Sequence, residues 1–395
     1  MVIGGGIGGL ALSLFLKKAG IVSTVYEAAA YKAGDGGGLN IAPNGMKVLA
    51  ALGLAPKTIA CGSVARECCF RNKRGKTLAR YSNGTVEKYG QPSVSMTRSA
   101  LYDVLKTEMH AQGLHVHYEK RLKDITQDSS QIVAHFADGT SAKGDLLIGA
   151  DGIHSQTRKL ILPNGPAPDY VGIIGAGGVV SGSAVPSLTQ RDKESLNFTY
   201  GPQGFFGYMG VHDGNVMWWA NLPRATELTR AELTNFSLES LKQEMLAIYR
   251  GYHMPVEALI TNTHTPVLHN ISDIRSLPTW HKGRIVLIGD AAHAVSPNAG
   301  QGASLALEDA MYLAKLLRDS AAGYEHVFTQ FEHERKPRVE KIVAEGRRRG
   351  NDKAIVSPFQ AKIREIMIMI FVNAFGKMGR NWLYNYPLGW EASPL

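Results

Sequence analysis

The sequence is poor in cysteine, lacks a long apolar run and carries one glycine fingerprint rather than two. Cys61, Cys68 and Cys69 are the three cysteines of 395 residues. An odd number in one cluster fits neither a disulfide framework nor a zinc spacing, so no metal is expected and the thiols read as reduced, in a cytoplasmic setting. Cys68 and Cys69 read as small buried hydrophobes. The apolar run 366–375 is interrupted by Asn373 and is too short to cross a bilayer, so no integral membrane segment is expected and the run reads as a packed C-terminal helix. No signal peptide precedes the first glycines. There is no low-complexity linker and no internal repeat.

Apolar residues make up 44% and charged residues 19%, which excludes a disordered chain. Lys and Arg number 43 against 34 Asp and Glu, a formal charge of +9. The basic residues are dispersed. Only 335–353 is dense in them, and acidic residues interrupt it. The excess reads as a solvated surface suited to anionic ligands, and no nucleic acid is expected. At roughly 150 residues per domain the length suggests two or three domains.

Met1-Val2-Ile3 leads into Gly4-Gly5-Gly6-Ile7-Gly8-Gly9, and an apolar helical pattern follows through Leu16. The predicted strand is short, which fits either a trimmed strand or a longer natural N-terminus. Gly20 ends the helix, and 21–26 reads as a second strand closing on Glu27. In Gly4-x-Gly6-x-x-Gly9 the first glycine makes the turn, the second admits a pyrophosphate and the third lets helix and strand pack closely. The helix N-terminus offers N–H groups to phosphate, and Glu27 can accept from ribose hydroxyls. This unit binds a nucleotide but does not by itself separate FAD from NAD.

Two further segments do. In 144–158 a buried strand ends in Asp151-Gly152, followed by Ser155 and Arg158. In 289–302 a strand ends in Gly289-Asp290, and Ala291-Ala292-His293 leads through Pro297 and Gly300-Gln301-Gly302 into a helix. The stretch 171–268 is rich in strand formers and aromatics, and it predicts a largely antiparallel sheet with one helix near 237–249. The tail from Tyr324 reads as helical, bent or interrupted at Pro337.

With these motifs in order, the chain resembles the class A flavoprotein monooxygenases, the group of para-hydroxybenzoate and salicylate hydroxylases, over about its first 350 residues. The resemblance implies an α/β fold: a Rossmann-like FAD-binding domain (1–70, 97–170, 271–335) interleaved with a mostly antiparallel substrate domain (71–96, 171–270), then a C-terminal helical region (336–395). It implies that Gly4, Gly6 and Gly9 hold the FAD pyrophosphate, Glu27 the ribose and Arg98 the phosphate or ribityl region. Asp151 and Gly152 would serve FAD and NAD(P)H, Asp290 the ribityl chain, and Pro297, Gly300, Gln301 and Gly302 the flavin ring. His293 reads as a loop residue bonded to a neighbour. Relatives often carry Asn where Ser304 stands. They also place an Arg near the loop that here reads Gly34-Asp35-Gly36-Gly37-Gly38, with Lys32 beside it.

The implied chemistry is hydroxylation of an aromatic or polyketide-like molecule by a flavin hydroperoxide, using O2 and transient NADPH or NADH. Phe206, Tyr208, Trp218 and Trp219 are the substrate candidates. Alternation along a strand sends the two Trp side chains to opposite faces, and Tyr208, the polar one, and Pro297 are the catalytic candidates. His264 and His269 read as solvated loop residues. An epoxidase, a tetracycline-modifying oxygenase, or a non-catalytic flavin-binding protein remain alternatives on the same fold, as monomer or homodimer.

Overall fold

The computed structural model describes residues 1–30, 37–351, 355–372 and 381–391. Lys32 and Gly34–Gly36, like Asn373–Phe375, lie outside them. A parallel sheet takes the spatial order His281–Lys282, Ile285–Leu287, Leu147–Gly149, Val2–Ile3, Val25–Tyr26, Val116–His117, with only the first pairing antiparallel. Val2, Ile3 and Val25 are buried, as β-branched residues in a doubly covered strand should be. From Val2–Ile3 the chain first moves to Val25–Tyr26 on one side and only later to Leu147–Gly149 on the other. That reversal opens a crevice at the carboxyl ends of the strands.

The helices Ile7–Lys18 and Gly302–Asp319 pack together over this sheet. Small residues make the approach possible: a Cβ on Gly8 would lie 3.5 Å from that of Ala306.

The second large sheet runs Val267–Asp273, Asp169–Val180, Val216–Pro223, Gly204–Gly210, Ser195–Gly201, Glu67–Asn72, Thr77–Ser82. Its pairings are antiparallel except Ser195–Gly201 against Glu67–Asn72. One face, here the back, lies under the helices Leu238–Ile248 and Val256–Thr261, where Phe206, Tyr208 and Trp218 pack with Leu241, Met245 and Tyr249. The opposite face, the front, carries Met209, Met217, Phe198 and Trp219. It turns toward the parallel-sheet unit: Met217 fills the place a side chain on Gly38 would need, in a strand paired with Val94–Thr97 just before Arg98.

Tyr324–Asn351 is one helix with Pro337 inside it, not a break. Arg335 and Arg338, on either side of the proline, are buried ion-pair anchors, and this tertiary hold outweighs the missing backbone hydrogen bond.

Candidate active site

Gly4, Glu27, Asp151 and Asp290 follow the carboxyl ends of four adjacent parallel strands, so the fold brings residues far apart in sequence to one crevice. Gly4 has φ +108°, and a side chain there would run into the Ala150 carbonyl. Gly9 sits directly against the Gly4 carbonyl, with no room for a side chain. Gly6 differs, since a Cβ there would find no heavy atom within 4 Å. The first and third glycines therefore close the turn, and the second faces open space in front of the helix N-terminus.

Glu27 shapes this loop. Its Oε2 accepts from Gly5 N at 2.8 Å and its Oε1 from Ala29 N at 2.8 Å. Asp151 accepts from Ser155 Oγ at 2.5 Å and from Thr157 N at 2.9 Å, while the buried Arg158 donates to the carbonyls of Ala291 and Ile153. The Asp151-Gly152 segment is thus stitched to the Asp290 segment, and Gly152 takes the left-handed turn at φ +75°.

Asp290 is accessible although protein surrounds it, as expected of a group lining a cleft. That burial raises its pKa against the opposing pull of His293 and Arg98, so Arg98 and Asp290 share one electrostatic environment. Pro297 and Gly300 are exposed, and a Cβ on Gly300 or Gly302 would meet nothing within 4 Å. Helix Gly302–Asp319 has no side-chain cap and no acidic residue in its first turn. Its free N–H groups and positive end suit an anionic ring or phosphate. Ser304 Oγ is buried there without a hydrogen-bond partner. Open space at three glycines and an uncapped helix start fit a phosphate-bearing flavin nucleotide.

Behind the crevice lies a buried charge network that the sequence reading did not identify. Asp309 Oδ2 accepts from Gly289 N at 2.9 Å and pairs with His293 Nε2 at 2.5 Å, and its Oδ1 accepts from Arg335 Nε at 2.8 Å. Burial alone would raise this carboxyl, but His293 and Arg335 outweigh it and hold the pKa at about 2. The ionised group can only accept, so His293 Nε2 is the donor. Glu308 pairs with Arg335 and Arg338, and it also accepts from Asn44 Nδ2 at 2.7 Å. Asn44 Nδ2 reaches the Gln301 side chain at 3.0 Å as well. The network therefore fixes both the Asp290 turn and the 297–302 loop. The signal was two carboxylates in the apolar stripe of a helix; their cationic partners stand some thirty residues on and give no local pattern.

The front face of the long sheet is aromatic. Trp219 lies over Gly207, where it replaces a side chain, and sits 6.1 Å from Phe198. Phe198 is 5.2 Å from Phe70, and these three rings are half-buried. Three substrate candidates fall elsewhere. Phe206 and Trp218 stack at 5.2 Å on the back face, and Trp218 Nε1 donates to Thr263 Oγ1 at 2.8 Å. Tyr208 is 1% exposed, and its hydroxyl accepts from Arg71 Nη1 at 3.1 Å, in a cluster with Asn197 and Asp192. Burial raises its phenol pKa, so it is no ready base. The expectation that Tyr208 touches substrate is corrected: helices cover its face of the sheet. His269 is likewise not a loop residue. It lies in the strand Val267–Asp273, beside Gly175 on the front. His264 lies outside that strand and is exposed.

The FAD binding domain model matches residues 1–346. Aurachin C monooxygenase/isomerase of Stigmatella aurantiaca is 31% identical over 321 residues, 80% of each chain. The 3-amino-4-hydroxybenzoate 2-monooxygenase PtmB3 of Streptomyces platensis is 31% identical over 397 residues, spanning 100% of this chain and 96% of that one. The chain belongs to the FAD-dependent monooxygenases.

Klebsiella pneumoniae HpxO, solved with FAD and uric acid, superposes on this monooxygenase with a TM-score of 0.86 at 26% identity, covering 98% of this chain and 97% of that one. The expected fold class, enzyme class and FAD cofactor agree with these relationships. Among the described residues of this monooxygenase, no helix is long and apolar enough to cross a membrane.

Proposed function

We propose that this monooxygenase hydroxylates a planar, small aromatic molecule held between the flavin and the front face of the long sheet, with NADPH or NADH as transient reductant and O2 as co-substrate. The observation that carries the reading is the half-buried ring cluster Phe70, Phe198 and Trp219, on the sheet face that packs through Met217 against the Gly38 strand. Relatives that act on aminohydroxybenzoate and urate support the substrate class. Three cysteines that form no disulfide suit a cytoplasmic enzyme, as monomer or homodimer.

Each residue has a role in this reading. Gly4, Gly6 and Gly9 shape the pyrophosphate cradle, and Glu27 holds that loop while presenting its remaining lone pairs to the ribose. Arg98 supplies positive charge for the phosphate or ribityl region. Asp290 accepts from ribityl hydroxyls. Asp151 and Gly152 position the Asp290 turn. Pro297, Gly300, Gln301 and Gly302 border the flavin, and the N–H groups at the start of Gly302–Asp319 stabilise negative charge on its ring. Bound FAD supplies the oxygen activation. The protein excludes water with its aromatic floor and orients the substrate ring, with Trp219 in direct contact.

The test is to purify the protein, release its FAD by denaturation, and screen aromatic compounds for accelerated NADPH oxidation with an oxygenated product. A product without added oxygen would favour a reductase on the same fold. No stimulation by any compound would favour a flavin-binding protein without this activity.

A further inference from the structure

We propose that Asn221, with His269 beside it, forms the polar end of the substrate floor and selects planar aromatics bearing an oxygen that accepts a hydrogen bond, such as a phenolic or ring-carbonyl oxygen. The inference rests on the reading of the front face as that floor.

Along Val216–Pro223, alternate side chains face the front: Met217 against Gly38, Trp219 over Gly207, then Asn221. The intervening Ala220 and Leu222 pack on the back. Asn221 is 6% exposed, and its Nδ2 is buried without a hydrogen-bond partner. An amide donor left so costs roughly 1–3 kcal/mol, and such groups are few in folded proteins. Among the described residues of this sheet, Asn221 Nδ2 alone is a buried side-chain polar atom without a partner, and it stands at the end of an aromatic row.

Its neighbours form one row across the front face. Asn221 lies opposite Gly175, and Gly175 lies opposite His269, so the three form one cross-strand row. Gly175 contributes no side chain, and the imidazole leans over it: a Cβ there would lie 2.5 Å from the ring Cε1 and Nε2. His269 is exposed and bonds nothing among the described residues. The protein packed around this accessible ring desolvates it and lowers its pKa, which favours the neutral ring with one donor and one acceptor. An amide donor beside a neutral imidazole complements an oxygen acceptor. No cation stands in this cross-strand row, so the site suits an uncharged edge rather than a carboxylate.

The probes are 1-naphthol and naphthalene, which differ by one oxygen. Their dissociation constants are read from perturbation of the flavin absorption band of the FAD-loaded protein. Wild type should bind 1-naphthol about tenfold more tightly than naphthalene, the typical value of one buried hydrogen bond. Asn221→Leu should abolish that preference while naphthalene affinity and FAD content stay within about twofold, and Asn221→Ala, which also removes the amide, should do the same. If Asn221→Leu loses FAD, Asn221→Ala decides. A preference retained in the variant that holds FAD overturns the proposal but leaves the aromatic floor standing. Failure of wild type to bind either compound overturns both.

Discussion

Trp218 and Trp219 are consecutive, yet they stand on opposite faces of one strand. Trp218 stacks on Phe206 at 5.2 Å under helices, and Trp219 lies over Gly207 on the face turned to the parallel-sheet unit. A single strand thus has one side in the core and one that the proposed function makes the substrate floor, and substitutions should separate them.

Trp219→Leu should lower the ratio of hydroxylated product to NADPH consumed, because a misplaced substrate lets reducing equivalents end as peroxide. Trp218→Leu should leave that ratio unchanged and cost about 3 kcal/mol of stability through the cavity it opens. Tyr208→Phe should also keep the ratio and cost about 1 kcal/mol, since Arg71 retains Asp192 and Asn197. Product and NADPH assays beside urea unfolding check all three. Uncoupling in Tyr208→Phe would return that hydroxyl to the active site.

The glycines of the loop should also separate. Gly6→Val adds bulk to open space, so the apoprotein should fold normally and lose FAD. Gly9→Val drives into the Gly4 carbonyl and should unfold the domain whether or not FAD is added. FAD content and thermal melting distinguish the two outcomes.

Asp290→Ala should weaken FAD binding more than Glu27→Ala. Asp290 lines the cleft with protein around it, and among the described residues its carboxylate hydrogen-bonds to no other side chain. Once the ribityl chain covers it, its removal would leave ribityl hydroxyls without an acceptor, at about 1–3 kcal/mol. Glu27 is half-buried, and water can replace its bonds to Gly5 and Ala29. Titration of both apoproteins with FAD gives the comparison.

Asp309 is the hinge of the buried network. Asp309→Asn should cost about 3–5 kcal/mol, because Arg335 keeps its charge and loses half its compensation. The pH dependence has a definite sign. The folded pKa, about 2, lies below the ordinary 3.8, so this group's stabilisation is complete above 3.8 and disappears as pH falls through 2. The stability gap between wild type and Asp309→Asn should therefore narrow by about 1 kcal/mol between pH 7 and pH 3. Chemical denaturation at both pH values measures it.

The strand–glycine–helix–strand unit and the Asp151 and Asp290 turns were legible because each is local: a few residues carry both the turn chemistry and the strand end. The alternation of Trp218 and Trp219 was legible too. Which face turned to the parallel-sheet unit was not, since that depends on Met217 meeting Gly38 and on where 238–248 docks. Tyr208 was chosen for its hydroxyl, and Arg71, its partner, lies 137 residues away. His269 stands two residues beyond Val267, where a strand begins that Thr265-Pro266 had disguised as a loop. Pro337 predicts a bend or an interruption, and anchoring at Arg335 and Arg338 keeps Tyr324–Asn351 one helix.

The central claim is that this chain spends NADPH and O2 to place one oxygen atom on an aromatic ring. The most direct measurement is the mass of the product formed under isotopically labelled dioxygen, with NADPH consumption followed in parallel. The account predicts one labelled oxygen atom per product molecule, formed only with FAD bound and in proportion to NADPH oxidised. Product whose oxygen comes from water, or NADPH oxidation that yields peroxide alone with every aromatic tried, would contradict it.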